Sequence, residues 1–263
     1  MAASVRATRC SSGHMARVCR RRWCRQCSWT RKGCVNMPKQ GFQPFMESPL
    51  HHFKLDAEAQ PRRADGRIWC NELPHLGYAV LRGDTAEAGF AQLVEQVTGL
   101  ALPLKAGAVS QGPQGVLMWT SPDEWLLVSH RQRLADWTAQ LDAGFAAQQL
   151  FAQTVDSSGG LTLAWLGGTE HITVLRHLGV YDFESIPLGH MVSTVLGKAT
   201  VQVIRLDTDG VFVVFRRSFA DYVWRLLRRA AQPYGFAVCQ LEARSDHPLF
   251  AQLAAPRPSL ILA

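Results

Sequence analysis

Apolar residues recur along this chain in short strand-like runs that alternate with helical stretches, and the order of these elements occurs twice. The first copy opens with an apolar run over residues 76–81, followed by Phe90, Leu93, Val94 and Val97 at helical spacing, which predicts a helix over 85–98. Asp84 is placed to cap that helix and Gly99 to end it. The Gly/Gln/Pro run 107–115 reads as a loop. Strands over 116–120 and 125–129 then flank the turn composition Ser121-Pro122-Asp123-Glu124. A helix over 133–141 closes the copy, with Leu134, Trp137 and Leu141 on one face. The second copy predicts a strand over 161–166 and a helix over 170–178 stopped by Gly179. A long loop passes through Pro187, and a strand follows over 199–206. Asp207-Thr208-Asp209-Gly210 reads as a hairpin turn. Residues 211–215 (VFVVF) lack a polar alternate, the pattern of a strand buried on both faces. Ser218 is placed to cap a helix over 219–231, with Asp221 in its first turn and Arg228 and Arg229 in its last. Pro233 and Gly235 stop it before a last strand over 236–241.

The two copies align at an offset of 85 residues. RQRLADWTAQL (131–141) falls on RRSFADYVWRL (216–226), with Arg, Ala, Asp and Leu identical at four positions. A period this long is too large for a solenoid and predicts two related halves packed together. The fold class expected is α+β, two β-α-β-β-α halves with mostly antiparallel sheets and helices packed on them. The divisions expected are a leader at 1–45, halves at 46–149 and 150–242, and a tail at 243–263.

Composition changes this picture mainly at the start of the chain. The whole sequence carries a net charge of +7, yet residues 1–45 hold eight Arg, two Lys and no acid, leaving the remainder at −3. The basic character belongs to the leader, so the body lacks the cationic excess of a nucleic-acid binder. Five of seven cysteines also lie there, leaving Cys70 and Cys239 in the body, too few for a disulfide framework. The leader admits three readings: a transit peptide, a zinc cluster around Cys24 and Cys27 with Cys19 and Cys34, or a segment that does not fold. The last is favoured, because little apolar periodicity offsets ordering entropy. On that reading Met37 or Met46 is the better initiator. No stretch of 18 apolar residues predicts a membrane span.

Candidate chemistry is sparse. No dinucleotide fingerprint, P-loop, HExxH or nucleophile elbow occurs. Asp156-Ser157-Ser158-Gly159-Gly160 reads as an anion nest or, more simply, an Asx/Ser turn. His171, His177 and His190 are poorly spaced for a metal. Trp119, Trp125, Trp137, Trp165 and Trp224 read as core or interface anchors rather than an aromatic box. Arg216-Arg217, at a strand end before a helix, is placed to hold a phosphate or a partner carboxylate, with a solvated or intramolecular pairing an equal alternative.

The segments TSPDEWLLV (120–128), VLGKATV (195–201) and RSFADYVW (217–224), with the opening SPLHHF (48–53), resemble the gamma subunit of heterotetrameric sarcosine oxidase from about Met46 to about Phe236. The loop GVYDFESIP (179–187) departs from that pattern. The resemblance implies the fold of the aminomethyltransferase folate-binding domain. It also implies a cytoplasmic, non-catalytic subunit docked on the alpha subunit of an enzyme that oxidises sarcosine to glycine with oxygen and tetrahydrofolate. The alpha, beta and delta partners would carry the FAD, FMN, NAD, tetrahydrofolate and zinc, so no catalytic, cofactor-binding or metal residues are expected in this chain. Arg216, Arg217, Ser218 and Tyr222 are the expected partner contacts. The alternative is a folate-binding one-carbon protein using Asp156 or Glu170.

Overall fold

A computed structural model describes residues 27–30, 33–36, 47–63 and 66–254. The chain divides into a unit over 1–45 and a unit over 46–263. In the first, β1 (Cys27–Thr30) pairs antiparallel with β2 (Gly33–Asn36), Cys27 opposite Asn36. The leader therefore carries a ladder where the sequence predicts no element; its Trp, Thr and Val are β-formers in a segment too short to show periodicity. Cys24 and Cys19 lie outside the described residues.

The larger unit opens with a 3-10 turn (His51–Phe53) and the single helical turn α1 (Leu55–Glu58). The first half then runs β3 (Ile68–Glu72), β4 (Leu76–Arg82), α2 (Ala88–Thr98), β5 (Val109–Gly112), β6 (Gly115–Ser121), β7 (Glu124–His130) and α3 (Arg131–Gln148). The second runs β8 (Gln153–Asp156), β9 (Leu161–Gly167), α4 (His171–Leu178), β10 (His190–Leu196), β11 (Ala199–Arg205), β12 (Gly210–Arg216) and α5 (Ala220–Ala231), followed by β13 (Phe236–Val238). Each half is thus β-β-α-β-β-β-α, two strands richer than the sequence predicts. β5 lies inside the presumed loop 107–115, and β10 follows the Pro187 turn.

The strands form two sheets, β5-β6-β7-β4-β8 and β10-β11-β12-β9-β3-β13, antiparallel except for the parallel pair β13·β3. The leading strand of each half crosses into the other's sheet. β3 pairs with β9, and β8 pairs with β4. Burial follows the pleat. In β12, Val211, Val213 and Phe215 enter the cluster beneath α4 and α5, while Phe212 and Val214 enter one between the sheets. In β7, Leu126 and Val128 face that same middle cluster, and Trp125 and Leu127 face α2 and α3. The result is four layers, helix, sheet, sheet, helix, with both faces of the central strands dry. Residues after β13 join the middle layer: Leu249 and Phe250 are buried there, and the Phe250 ring lies 5.9 Å from Trp165 and 5.3 Å from Phe212. The expected C-terminal tail is therefore part of the core as far as residue 254.

The repeat keeps its 85-residue spacing at β4 and β9 but widens to 86 at β7 and β12. At 86, buried Leu134, Trp137, Leu141 and Phe145 of α3 superpose on buried Ala220, Val223, Leu227 and Ala231 of α5. The ungapped identities at 85 are therefore one residue out of structural register in these helices.

Three helix ends differ from expectation. Asp84 accepts the Ala86 N–H at 2.8 Å in a turn before α2 rather than capping the helix. α3 runs a further two turns past Leu141, because Phe145 continues its buried stripe. Ser218 sits inside a 3-10 turn, Arg217–Phe219, and makes no cap bond. Gly99 ends α2 as predicted, at φ 70°.

Candidate functional site

Three of the four motifs, SPLHHF, VLGKATV and RSFADYVW, meet around α5 beside the second sheet. Leu50 of the N-terminal arm is fully buried under α5, and Phe53 lies 6.2 Å from Trp224. His52 Nε2 lies 3.0 Å from Asp221, which also accepts from Arg225 at 2.9 Å. These bonds hold the Asp221 carboxyl below the usual carboxylate range, Arg225 contributing most. Ser48 Oγ donates to Oε2 of Glu72, and Thr162 donates to its Oε1 at 2.5 Å. Glu72, on β3, is 4% exposed. Burial pushes its carboxyl above the usual range against the opposing pull of those hydroxyls and the nearby Arg217 guanidinium. Arg217 donates to the Glu47 carbonyl at 2.5 Å. SPLHHF and RSFADYVW are thus two sides of one clasp that fastens the arm over α5.

TSPDEWLLV is likewise structural. Ser121 Oγ donates to Asp123 at 2.8 Å, Arg82 pairs with Asp123 at 3.2 Å and Glu124 at 3.4 Å, and the Trp125 indole donates to the Pro103 carbonyl at 2.8 Å.

The other expected groups are engaged singly. Asp156 accepts from the Ser158 N–H at 2.8 Å and from its hydroxyl, the Asx/Ser turn of the simpler reading. Glu170 pairs with Arg67 at 2.9 Å. His171 donates to the Gly168 carbonyl at 2.6 Å, His177 bonds Tyr234 at 2.7 Å, and His190 bonds the Leu188 carbonyl at 3.2 Å. No group of three or more His, Cys, Asp or Glu that would hold a metal ion occurs among the described residues. Trp125, Trp137, Trp165 and Trp224 are buried in three separate clusters and form no shared box. Cys70 and Cys239 are free and lie in clusters on opposite faces of the sheet.

A cavity of about 280 Å³, missed in the sequence, lies where the C-terminal segment crosses the β11–β12 turn; Arg62, Trp165, Asp209, Glu242, Arg244 and Phe250 are among its lining. Its cations are already placed: Arg62 stands over the Trp165 ring at 5.3 Å and pairs with Asp209 at 3.2 Å, and Arg244 stands over Phe250 at 5.8 Å. His247 Nδ1 accepts the N–H groups of Leu249 and Phe250 and turns Nε2 to Asp207 at 3.3 Å. Neither Asp156 nor Glu170, the expected folate-gripping acids, is among its lining residues.

The expected partner contacts separate. Arg217 is bonded inside the chain. Strand alternation puts Arg216 on the Val214 side of the sheet, away from α5. Ser218 is exposed, and Tyr222, 36% exposed, remains on the surface beside Phe219, 39% exposed, with rings 6.4 Å apart. The Tyr222 hydroxyl accepts the Lys198 N–H at 3.1 Å across the β10–β11 turn. Gly197 in that turn has φ 59°, and a Cβ there would stand 2.4 Å from the Tyr222 oxygen. Gly197→Ala is expected to cost about 1–3 kcal/mol by combining left-handed strain with that clash. A urea-unfolding midpoint equal to wild type would refute it.

No helix among the described residues is long and apolar enough to cross a membrane. No curated protein matches the chain by sequence. Among solved structures, it is similar to heterotetrameric sarcosine oxidase from Corynebacterium sp. U-96, with a TM-score of 0.64 and 22% identity, covering 72% of this chain and 96% of that one. It is also similar to the glycine cleavage system aminomethyltransferase T from Bartonella henselae, with a TM-score of 0.54 and 13% identity, covering 74% of this chain and 60% of that one. Both likenesses are of fold, and the second gives the two halves their aminomethyltransferase-like architecture. The model of the sarcosine oxidase gamma subunit family matches residues 82–232, from the end of β4 to the end of α5. The chain belongs to the sarcosine oxidase gamma subunit family.

Proposed function

We propose that this chain is the non-catalytic gamma subunit of a heterotetrameric flavoenzyme that oxidises sarcosine to glycine with oxygen and tetrahydrofolate, and that it supports assembly on the alpha subunit. The family match across both halves carries the reading. The engagement of the candidate polar groups supports it: Asp156, Glu170, His171 and Arg217 each hold an internal partner, as scaffold residues do. In this reading FAD, FMN, NAD, tetrahydrofolate and zinc sit in the alpha, beta and delta subunits, and the complex is cytoplasmic. The free thiols of Cys70 and Cys239 fit a reducing compartment.

The test is co-expression of the full chain with the alpha, beta and delta subunits. The chain should co-elute stoichiometrically in gel filtration, which at micromolar loading requires a Kd below about 0.1 µM, roughly −9.5 kcal/mol. Alone, it should carry no flavin absorbance and give no heat on titration with tetrahydrofolate. A chain that stays monomeric beside those subunits overturns the reading.

A further inference from the structure

The pseudo-symmetry of the two halves points to one docking surface. In the first half, the β5–β6 turn (Pro113-Gln114) and the start of α3 are covered by the chain's own C-terminal segment. Gln252 donates to the Pro113 carbonyl at 3.1 Å and accepts from Arg133 at 3.0 Å. The equivalent place in the second half is the β10–β11 turn (Gly197-Lys198) and the start of α5; the N-terminal arm bonds Asp221 on one flank of that helix, but among the described residues no segment from elsewhere in the chain is bonded to both the turn and the helix start as Gln252 is. At the 86-residue spacing, Phe219, Tyr222, Leu226 and Arg229 replace Arg133, Asp136, Gln140 and Ala143. A polar helix face in one copy is an apolar stripe in the other.

The charges are as uneven as the side chains. On the arm-facing flank of α5 they are matched: Asp221 with His52 and Arg225, Arg228 with Glu58 at 3.7 Å. Beside the stripe, Lys198 and Arg229 are exposed and make no ion pair among the described residues, on a body whose sequence is net negative. Aromatic residues set among unmatched cations are the composition of interface anchors.

Resting on the gamma-subunit reading, we propose that Phe219, Tyr222 and Leu226, rimmed by Lys198 and Arg229, dock an apolar, acid-flanked segment of the alpha subunit, in the place that Gln252 and its neighbours take on the first half. Charge complementarity then steers the encounter, and the aromatic pair holds it.

The experiment measures binding of the purified full chain to the purified alpha subunit across salt concentrations. Phe219→Asp should weaken binding about 30-fold or more, as an anchor does. Lys198→Glu with Arg229→Glu should weaken it about tenfold at 0.15 M salt and flatten its salt dependence, the mark of lost complementary charge. Gln140→Glu with Ala143→Glu, at the equivalent place on α3, should change nothing beyond twofold. Thermal unfolding of each variant separates lost docking from lost fold, and the double charge variant keeps the test open if Phe219→Asp unfolds. Wild-type binding with both stripe variants unaffected overturns the surface alone. A stripe that instead mediates self-association of this chain also overturns it. Absence of wild-type binding to the alpha subunit overturns the gamma-subunit reading itself.

Discussion

Trp125→Ala should remove about 4–5 kcal/mol of stability, close to the whole margin of an ordinary domain. Trp125 is fully buried on the helix side of β7, 5.5 Å from the Phe90 ring of α2. Truncation leaves a cavity among Phe90, Leu127 and Phe145, and cavity terms put tryptophan-to-alanine changes at about 3–5 kcal/mol. It also strands the Pro103 carbonyl that accepts the indole N–H, a further cost of about 1 kcal/mol. That bond ties the connection after α2 to the centre of the first sheet, so its loss should loosen residues 100–105 as well as weaken the core. Trp125→Phe keeps most of the packing and should cost about 1–2 kcal/mol. Urea unfolding of the two variants decides the matter: a loss below about 2 kcal/mol for the alanine variant would mean that this cluster collapses around the gap.

The same tryptophan shows which parts of the fold were legible. β6, β7, β9 and β12 announce themselves because every second residue is large and apolar, and β12 even shows that both its faces are buried. β3 does not, since two of its five buried positions are Asn71 and Glu72, polar groups whose partners come from residues far along the chain. β8 fails for the opposite reason: as an edge strand its Gln-Thr-Val-Asp is mostly solvated. Missing those two strands hides the exchange between halves, which no local pattern encodes. At the candidate surface, Tyr222 was legible from the motif. For Arg217 the partner and intramolecular readings both stood, because an arginine near a helix start looks the same whether its acceptor is a partner or the backbone of Glu47. Phe219 carried a usable signal in the repeat at the 86-residue register, and Lys198 at the 84-residue register of β6 and β11, because the β6–β7 and β11–β12 turns differ in length. The two-residue connection at 122–123 becomes four residues at 206–209, and an ungapped alignment cannot show that.

The buried carboxyl that the sequence did not reveal should govern how stability depends on pH. Burial raises the Glu72 pKa above the ordinary value of 4.5, so the folded protein holds its proton more readily than the open chain does. A raised acid contributes its stability in full below the unfolded value and loses it as pH climbs through the folded value, at about 1.4 kcal/mol per unit of difference. Glu72→Gln keeps the shape and stays neutral, with an amide able to meet the Ser48 and Thr162 hydroxyls. Wild type and glutamine variant should therefore be nearest in stability below pH 4.5, with the glutamine variant gaining on wild type as pH rises above it. Glu72→Ala is the harsher change. It strands both hydroxyls and removes the carboxyl whose ionised form the half-buried Arg217 favours, at an expected cost of about 2–4 kcal/mol across the range. Because Ser48 and Glu47 are anchored to this cluster, that variant should also expose the arm over residues 47–58 to limited proteolysis while β12 and α5 stay protected. Parallel pH profiles for wild type and the glutamine variant would show that Glu72 ionises in the fold as readily as in the open chain, and would overturn this prediction.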